Sequence, residues 1–184
     1  MPNKLYQTLE DRSNIDYVEE NGPFICQRKS AWLGTGYYYW DTFIDNAHLW
    51  GKKIYTEKNK DYIICLSTVD FNNENVYDLD NPNILLEFKT LEKKLSETYP
   101  DKHITVAVVL EQLKLSQEFT YKAVRARVLE DMNSTKQKIL FKANHVAYLD
   151  LCPHIQVCII DTSLVGDDNF KVIYPLEYCE NYAI

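Results

Sequence analysis

Ile84, Phe88, Leu91 and Leu95 recur at i, i+4, i+7 and i+11, with Glu and Lys residues among the positions between them. That spacing lays one apolar stripe along a helix. Asn81-Pro82 supplies a cap and a first-turn proline, so the pattern predicts a helix from there to Tyr99. A second helix is predicted over 104–115, through Val106, Val109, Leu110 and Leu113, against the pull of its β-branched residues. Two shorter ones precede them. Residues 13–22 offer Ser13 as cap, Ile15 and Val18 as an apolar edge and Gly22 as stop; 42–50 set Phe43, Ala47 and Trp50 near one face and end at Gly51. Strands are predicted at 4–8, 23–26, 61–69, 139–141, 155–161 and 170–174, with 61–69 apolar enough for a sheet interior. The Asn- and Asp-rich stretch 70–83 reads as loop, and 119–129 suits helix or strand equally. Strands, then helices, then strands make a single α+β domain over residues 1–184.

Composition narrows the class. At 184 residues and 46% hydrophobic content the chain can form a core without disulfide help. A net charge of −7 argues against nucleic-acid binding driven by the whole surface, though not against a local basic groove. The five cysteines have no C-x-x-C spacing, so neither a zinc site nor a disulfide framework is indicated. Cys65 and Cys158 lie inside apolar runs and read as small buried hydrophobes. The histidines lack metal-ligand spacing, and no metal is expected. Reduced thiols fit an intracellular workplace, so the expected location is the cytoplasm, its own cell's or a target cell's after delivery. No apolar run has the length of a signal-peptide core or a membrane span, which leaves export by a dedicated machine open.

Candidate chemistry concentrates at Trp32–Gly51. Two of only five glycines, Gly34 and Gly36, flank Thr35 there, and Tyr37-Tyr38-Tyr39-Trp40 follow. Glycine permits positive φ and close approach to the main chain, so a ligand could lie against this backbone with aromatic faces beside it; a tight turn between strands would use the same residues. No G-x-S-x-G elbow, phosphate-binding P-loop or dinucleotide G-x-G-x-x-G is present.

Leu33 to Asp41, L-G-T-G-Y-Y-Y-W-D, resembles the F-G-K-G-I-Y-F-A-D motif of the ADP-ribosyltransferases, on the diphtheria-toxin and poly(ADP-ribose) polymerase side. Bacterial members with W-L-G-x-G-x-Y-F-W and a trailing A-x-x-W are closer still, matched by Trp32–Trp40 and by Ala47-His48-Leu49-Trp50. Two further segments resemble the family's outer motifs in the same order. Leu5-Tyr6-Gln7-Thr8 is similar to the opening L-Y-H-G-T, with Gln7 in the histidine position. His154–Val165 is similar to the late glutamate-bearing strand, with Gln156 in the glutamate position, the residue associated with the bacterial relatives.

The resemblance implies two small sheets packed around an NAD cleft, with helices inserted mid-chain. It implies single-unit ADP-ribosyl transfer from NAD to a macromolecular acceptor, protein or nucleic acid, by a toxin, effector or defence protein that an immunity protein or antitoxin would restrain. A membrane is not among the implied partners. Tyr38 would stack on nicotinamide, backbone near Gly36 or Tyr6 would hold the carboxamide, and Gln156 would meet the ribose 2′-hydroxyl. Gln7 would take the histidine's place, and Thr8, Gly34 and Ala47 complete the implied NAD contacts. A glutamate would also oppose the positive charge developing on ribose; Gln156 keeps the hydrogen bond without the charge, so a slower transferase is expected. NAD hydrolysis, or a module that binds NAD or ADP-ribose without turnover, are the alternatives. Glu10, Asp11 and Glu177 could supply a carboxylate or be surface groups, and Arg125 could meet a pyrophosphate or form a structural ion pair.

Overall fold

The computed structural model describes residues 2–28, 30–129, 137–166 and 169–179. Nine strands and four α-helices are found among them. Strands β1 (Asn3–Glu10), β2 (Tyr37–Asp41), β3 (Tyr62–Val69), β4 (Val76–Asp78), β5 (Ala123–Arg127), β8 (Ile155–Ile159) and β9 (Lys171–Tyr174) build one sheet in the order β4-β5-β8-β2-β1-β3-β9. All its pairings are antiparallel except β4 with β5. Strands β6 (Lys138–Leu140) and β7 (Tyr148–Asp150) form a separate hairpin. The fold is therefore mixed α+β, but the two small packed sheets are replaced by one seven-stranded sheet and a detached hairpin.

Strand register sorts the side chains into two layers. On one face Leu5, Tyr39, Ile63, Cys65, Val157 and Ile159 pack with Val18 of helix α1 (Ile15–Asn21) and with Phe170 and Val172. The opposite face carries two clusters. Tyr6, Trp40 and Ile64 meet Ala47 and Trp50 of α2 (Ile44–Ile54). Tyr77, Val124 and Cys158 meet Phe88 and Leu95 of α3 (Pro82–Thr98) and Val109 and Leu110 of α4 (Val106–Lys114). Trp32 packs against both clusters and so marks their seam.

Several local expectations need correction. The residue before α1 is Asn14, not Ser13, which has φ of +53°. Residues 23–26 form no strand; Cys26 makes one isolated bridge to Gly36. Gly51 does not end α2 but lies buried within it against the Tyr62 ring, where any side chain would collide. The segment 70–83 contains β4, a three-residue edge strand too short for a periodic pattern, and the ambiguous 119–129 holds β5. The α3 boundary stands as read: the Asn81 side chain accepts a hydrogen bond from Asn83 N and Pro82 occupies the first turn. No helix among the described residues is long and apolar enough to cross a membrane.

Candidate functional site

Strands β1 and β2 pair only at Leu5–Asp41 and Tyr6–Trp40, whereas β1 stays paired with β3 along its whole length. Beyond Tyr6 the two part, and Cys26 takes the vacated place beside β2 through Cys26 N to Gly36 O at 2.8 Å and Gly36 N to Cys26 O at 3.4 Å. The segment containing Cys26 runs from Phe24, packed on the α1 side of the sheet, to Trp32 on the α2 side, so it crosses the sheet at this split. The opening is a cleft of about 290 Å³, at the small end for ligand sites.

Its walls come from β1 (Gln7, Thr8, Leu9), the crossing segment, β2 (Tyr38, Tyr39, Trp40), the α2 region (Trp50, Tyr55) and Gln156 of β8. All three tryptophans of the chain line it. Trp50 stands edge-on to Trp32 and to Trp40, each pair with ring centres 6.1 Å apart. Arg28 is the only charged side chain among the described lining residues, and none is a carboxylate.

Gln156 faces the same side of the sheet as Trp40, its register partner. It is 6% exposed, and its Oε1 has no hydrogen-bond partner among the described residues. A buried amide oxygen left unpaired costs roughly 1–3 kcal/mol, and such a group calls for an explanation. A bound hydroxyl or N–H donor would supply one.

Gln7 differs. Its Nε2 donates to Phe24 O at 3.0 Å and to Tyr38 O at 3.2 Å, while its Oε1 accepts from Phe24 N at 2.9 Å. The side chain replaces the missing ladder where β1 and β2 separate, and both amide hydrogens are engaged. Its first role is to fasten the crossing segment.

Tyr38 also works on the scaffold. Its hydroxyl accepts from Leu33 N and donates to Gly34 O, both at 2.7 Å, while burial pushes the phenol pKa far up. Only the ring is left for a ligand. We expect Tyr38→Phe to lose about 1–2 kcal/mol of stability in urea unfolding, because two backbone groups of the Gly34 turn lose a partner. Unchanged stability would show that the turn holds without the phenol.

The glycines serve that turn too. Gly34 has φ of +80°, and a Cβ there would run into the Glu111 carboxylate of α4. At Gly36 a Cβ would lie 2.7 Å from Ile159 O and closer still to Cys158 Sγ. The close approach inferred for these glycines is thus made by the protein's own α4 and β8. Of the sequence-derived residues, Gln7, Thr8, Tyr38 and Gln156 line the cleft, while Tyr6, Gly34, Gly36 and Ala47 do not. Thr8 is tied back by its hydroxyl donating to Ala47 O at 3.0 Å.

The spare carboxylates lie outside the cleft: Glu10 pairs with Lys60 at 2.8 Å, and Asp11 accepts from the Tyr178 hydroxyl at 3.0 Å. Glu177 does not line it either. Arg125 is structural, bonded to Asp41 and Asp78. Sequence reasoning missed residues 24–28 and 30–32 of the crossing segment as a wall. Its apolar start resembles a strand, and the distant partners Gln7 and Gly36 turn it aside. No group of three or more His, Cys, Asp or Glu among the described residues could hold a metal ion. Comparison with family models, curated proteins and solved structures returns no match for this chain.

Proposed function

We propose that this domain is ADP-ribosyltransferase-like, that its cleft takes the nicotinamide-ribose end of NAD, and that it transfers single ADP-ribosyl units to a macromolecular acceptor. The observation that carries this reading is the meeting in one cleft of Gln7, Tyr38 and Gln156, from three separate segments, with the Gln156 amide oxygen buried there and unpaired. A ribose hydroxyl is a donor suited to that oxygen. The Tyr38 ring and the tryptophans offer flat apolar faces to a pyridine ring. An acceptor protein or nucleic acid, an immunity partner and a cytoplasmic place of action belong to the same proposal.

One observation favours a second reading, NAD or ADP-ribose binding without turnover: no described lining residue is a carboxylate that could oppose an oxocarbenium charge. One experiment separates the two. Because every tryptophan lines the cleft, NAD should quench intrinsic fluorescence. Nicotinamide release is followed in the same samples with and without cell lysate. Release that needs lysate supports transfer, release without it supports hydrolysis, and quenching without release supports the binding module. Gln156→Leu should weaken NAD binding about tenfold, or ~1.4 kcal/mol. No quenching by NAD or ADP-ribose would reject the cleft as a site for either.

A further inference from the structure

Cys26 is a free thiol on the cleft wall. Its backbone is fixed by the two hydrogen bonds to Gly36, so the thiol keeps its place beside β2. The other cysteines are hindered. Cys65, Cys152 and Cys158 are buried, and burial raises the pKa of each, that of Cys158 to about 11. Cys179 is half-buried, with Sγ donating to Val172 O at 3.6 Å and Pro175 O at 3.9 Å. Cys26 is half-buried as well and makes no hydrogen bond through sulfur to a described residue. A thiol that is partly exposed and not held by a hydrogen bond is open to exchange, whereas buried cysteines are inert.

A second, independent feature of the cleft points to a ligand, namely the unpaired Oε1 of Gln156, buried at 6% exposure. Cys26 and Gln156 therefore line one cleft of about 290 Å³. A tripeptide-sized group on sulfur would fill much of that volume and exclude anything else.

We infer that Cys26 is a modification site for low-molecular-weight disulfides, and that the mixed disulfide closes the cleft. The Cys26 thiolate attacks one sulfur of the disulfide, a new S–S bond forms, the original S–S bond breaks, and the departing thiolate takes up the proton that Cys26 lost. No further oxidant is needed. Excess dithiol reverses the exchange. The effect on NAD rests on the function proposed above; the modification itself does not.

The test uses oxidised glutathione and the full chain. Intact-mass kinetics should give one adduct forming at least about tenfold faster than any other. Peptide mapping should place it on Cys26, and Cys26→Ser should lose that fast phase. The adduct should also shield the cleft tryptophans from acrylamide quenching, and dithiothreitol should restore the quenching. A fast adduct on Cys179, no fast phase, or an adduct on Cys26 that leaves quenching unchanged would each overturn the inference. NAD quenching is measured separately on the unmodified protein. Its absence there would count against the proposed function, while the adduct's position and shielding still decide the inference.

Discussion

Replacing Arg125 with alanine is expected to destabilise the domain by about 3–5 kcal/mol, the usual effect of stranding a buried charge. Arg125 Nε bonds Asp41 at 2.8 Å, and Nη1 bonds Asp78 at 2.9 Å. Asp41 is 1% exposed, and Asn3 Nδ2 and the Thr42 hydroxyl are its other side-chain donors. Strands β5 and β2 are not neighbours, because β8 runs between them. The guanidinium therefore reaches across β8 to hold β2, while Asp78 ties in the edge strand β4. Burial works against the charge of Arg125, but the two carboxylates outweigh it and raise its pKa. Without Arg125, Asp41 keeps a charge that neutral donors compensate incompletely. Urea unfolding of Arg125→Ala measures the loss. Arg125→Ala combined with Asp41→Asn should recover much of it, since the stranded charge is then gone. Equal stability of wild type and Arg125→Ala would mean that Asp41 is hydrated well enough to need no partner.

What could be read from the sequence follows how local each cause is. Helix α3 was legible because its cap at Asn81, its proline and its apolar stripe are neighbours in sequence. Strand β3 was legible because a strand buried on both faces must be a continuous apolar run. The split between β1 and β2 was not legible, since it depends on Gln7 meeting Phe24 and on Cys26 meeting Gly36, contacts that no periodicity encodes. Gly34 and Gly36 stand out in the sequence as a backbone that a ligand could approach, but the groups that crowd them lie on α4 and β8. Gln7 and Gln156 looked alike as glutamines in motif positions. Only the fold separates them, one amide bonded on both sides and the other with a bare buried oxygen.

That bare oxygen sets up the second large effect. If the cleft breaks the nicotinamide-ribose bond, Gln156→Glu should accelerate nicotinamide release about a hundredfold, ~2.7 kcal/mol of transition-state stabilisation. The substitution preserves shape and puts negative charge where the ribose becomes positive. The new carboxyl would be buried, so desolvation raises its pKa above the unfolded value. Two trends with pH then run in opposite directions. Release by the variant should climb as pH rises and the carboxyl ionises. Stability should move the other way, because a group with a raised folded pKa stabilises below its unfolded pKa and loses that contribution as pH rises through the folded one. Wild-type protein, with an amide at 156, should show neither trend from this position. Fluorescence titration with NAD keeps the outcome readable. A variant that binds NAD as wild type does and still releases no nicotinamide at any pH would mean that the cleft does not hold the ribose against β8. Transfer chemistry at this site would then be excluded, and the binding reading would stand.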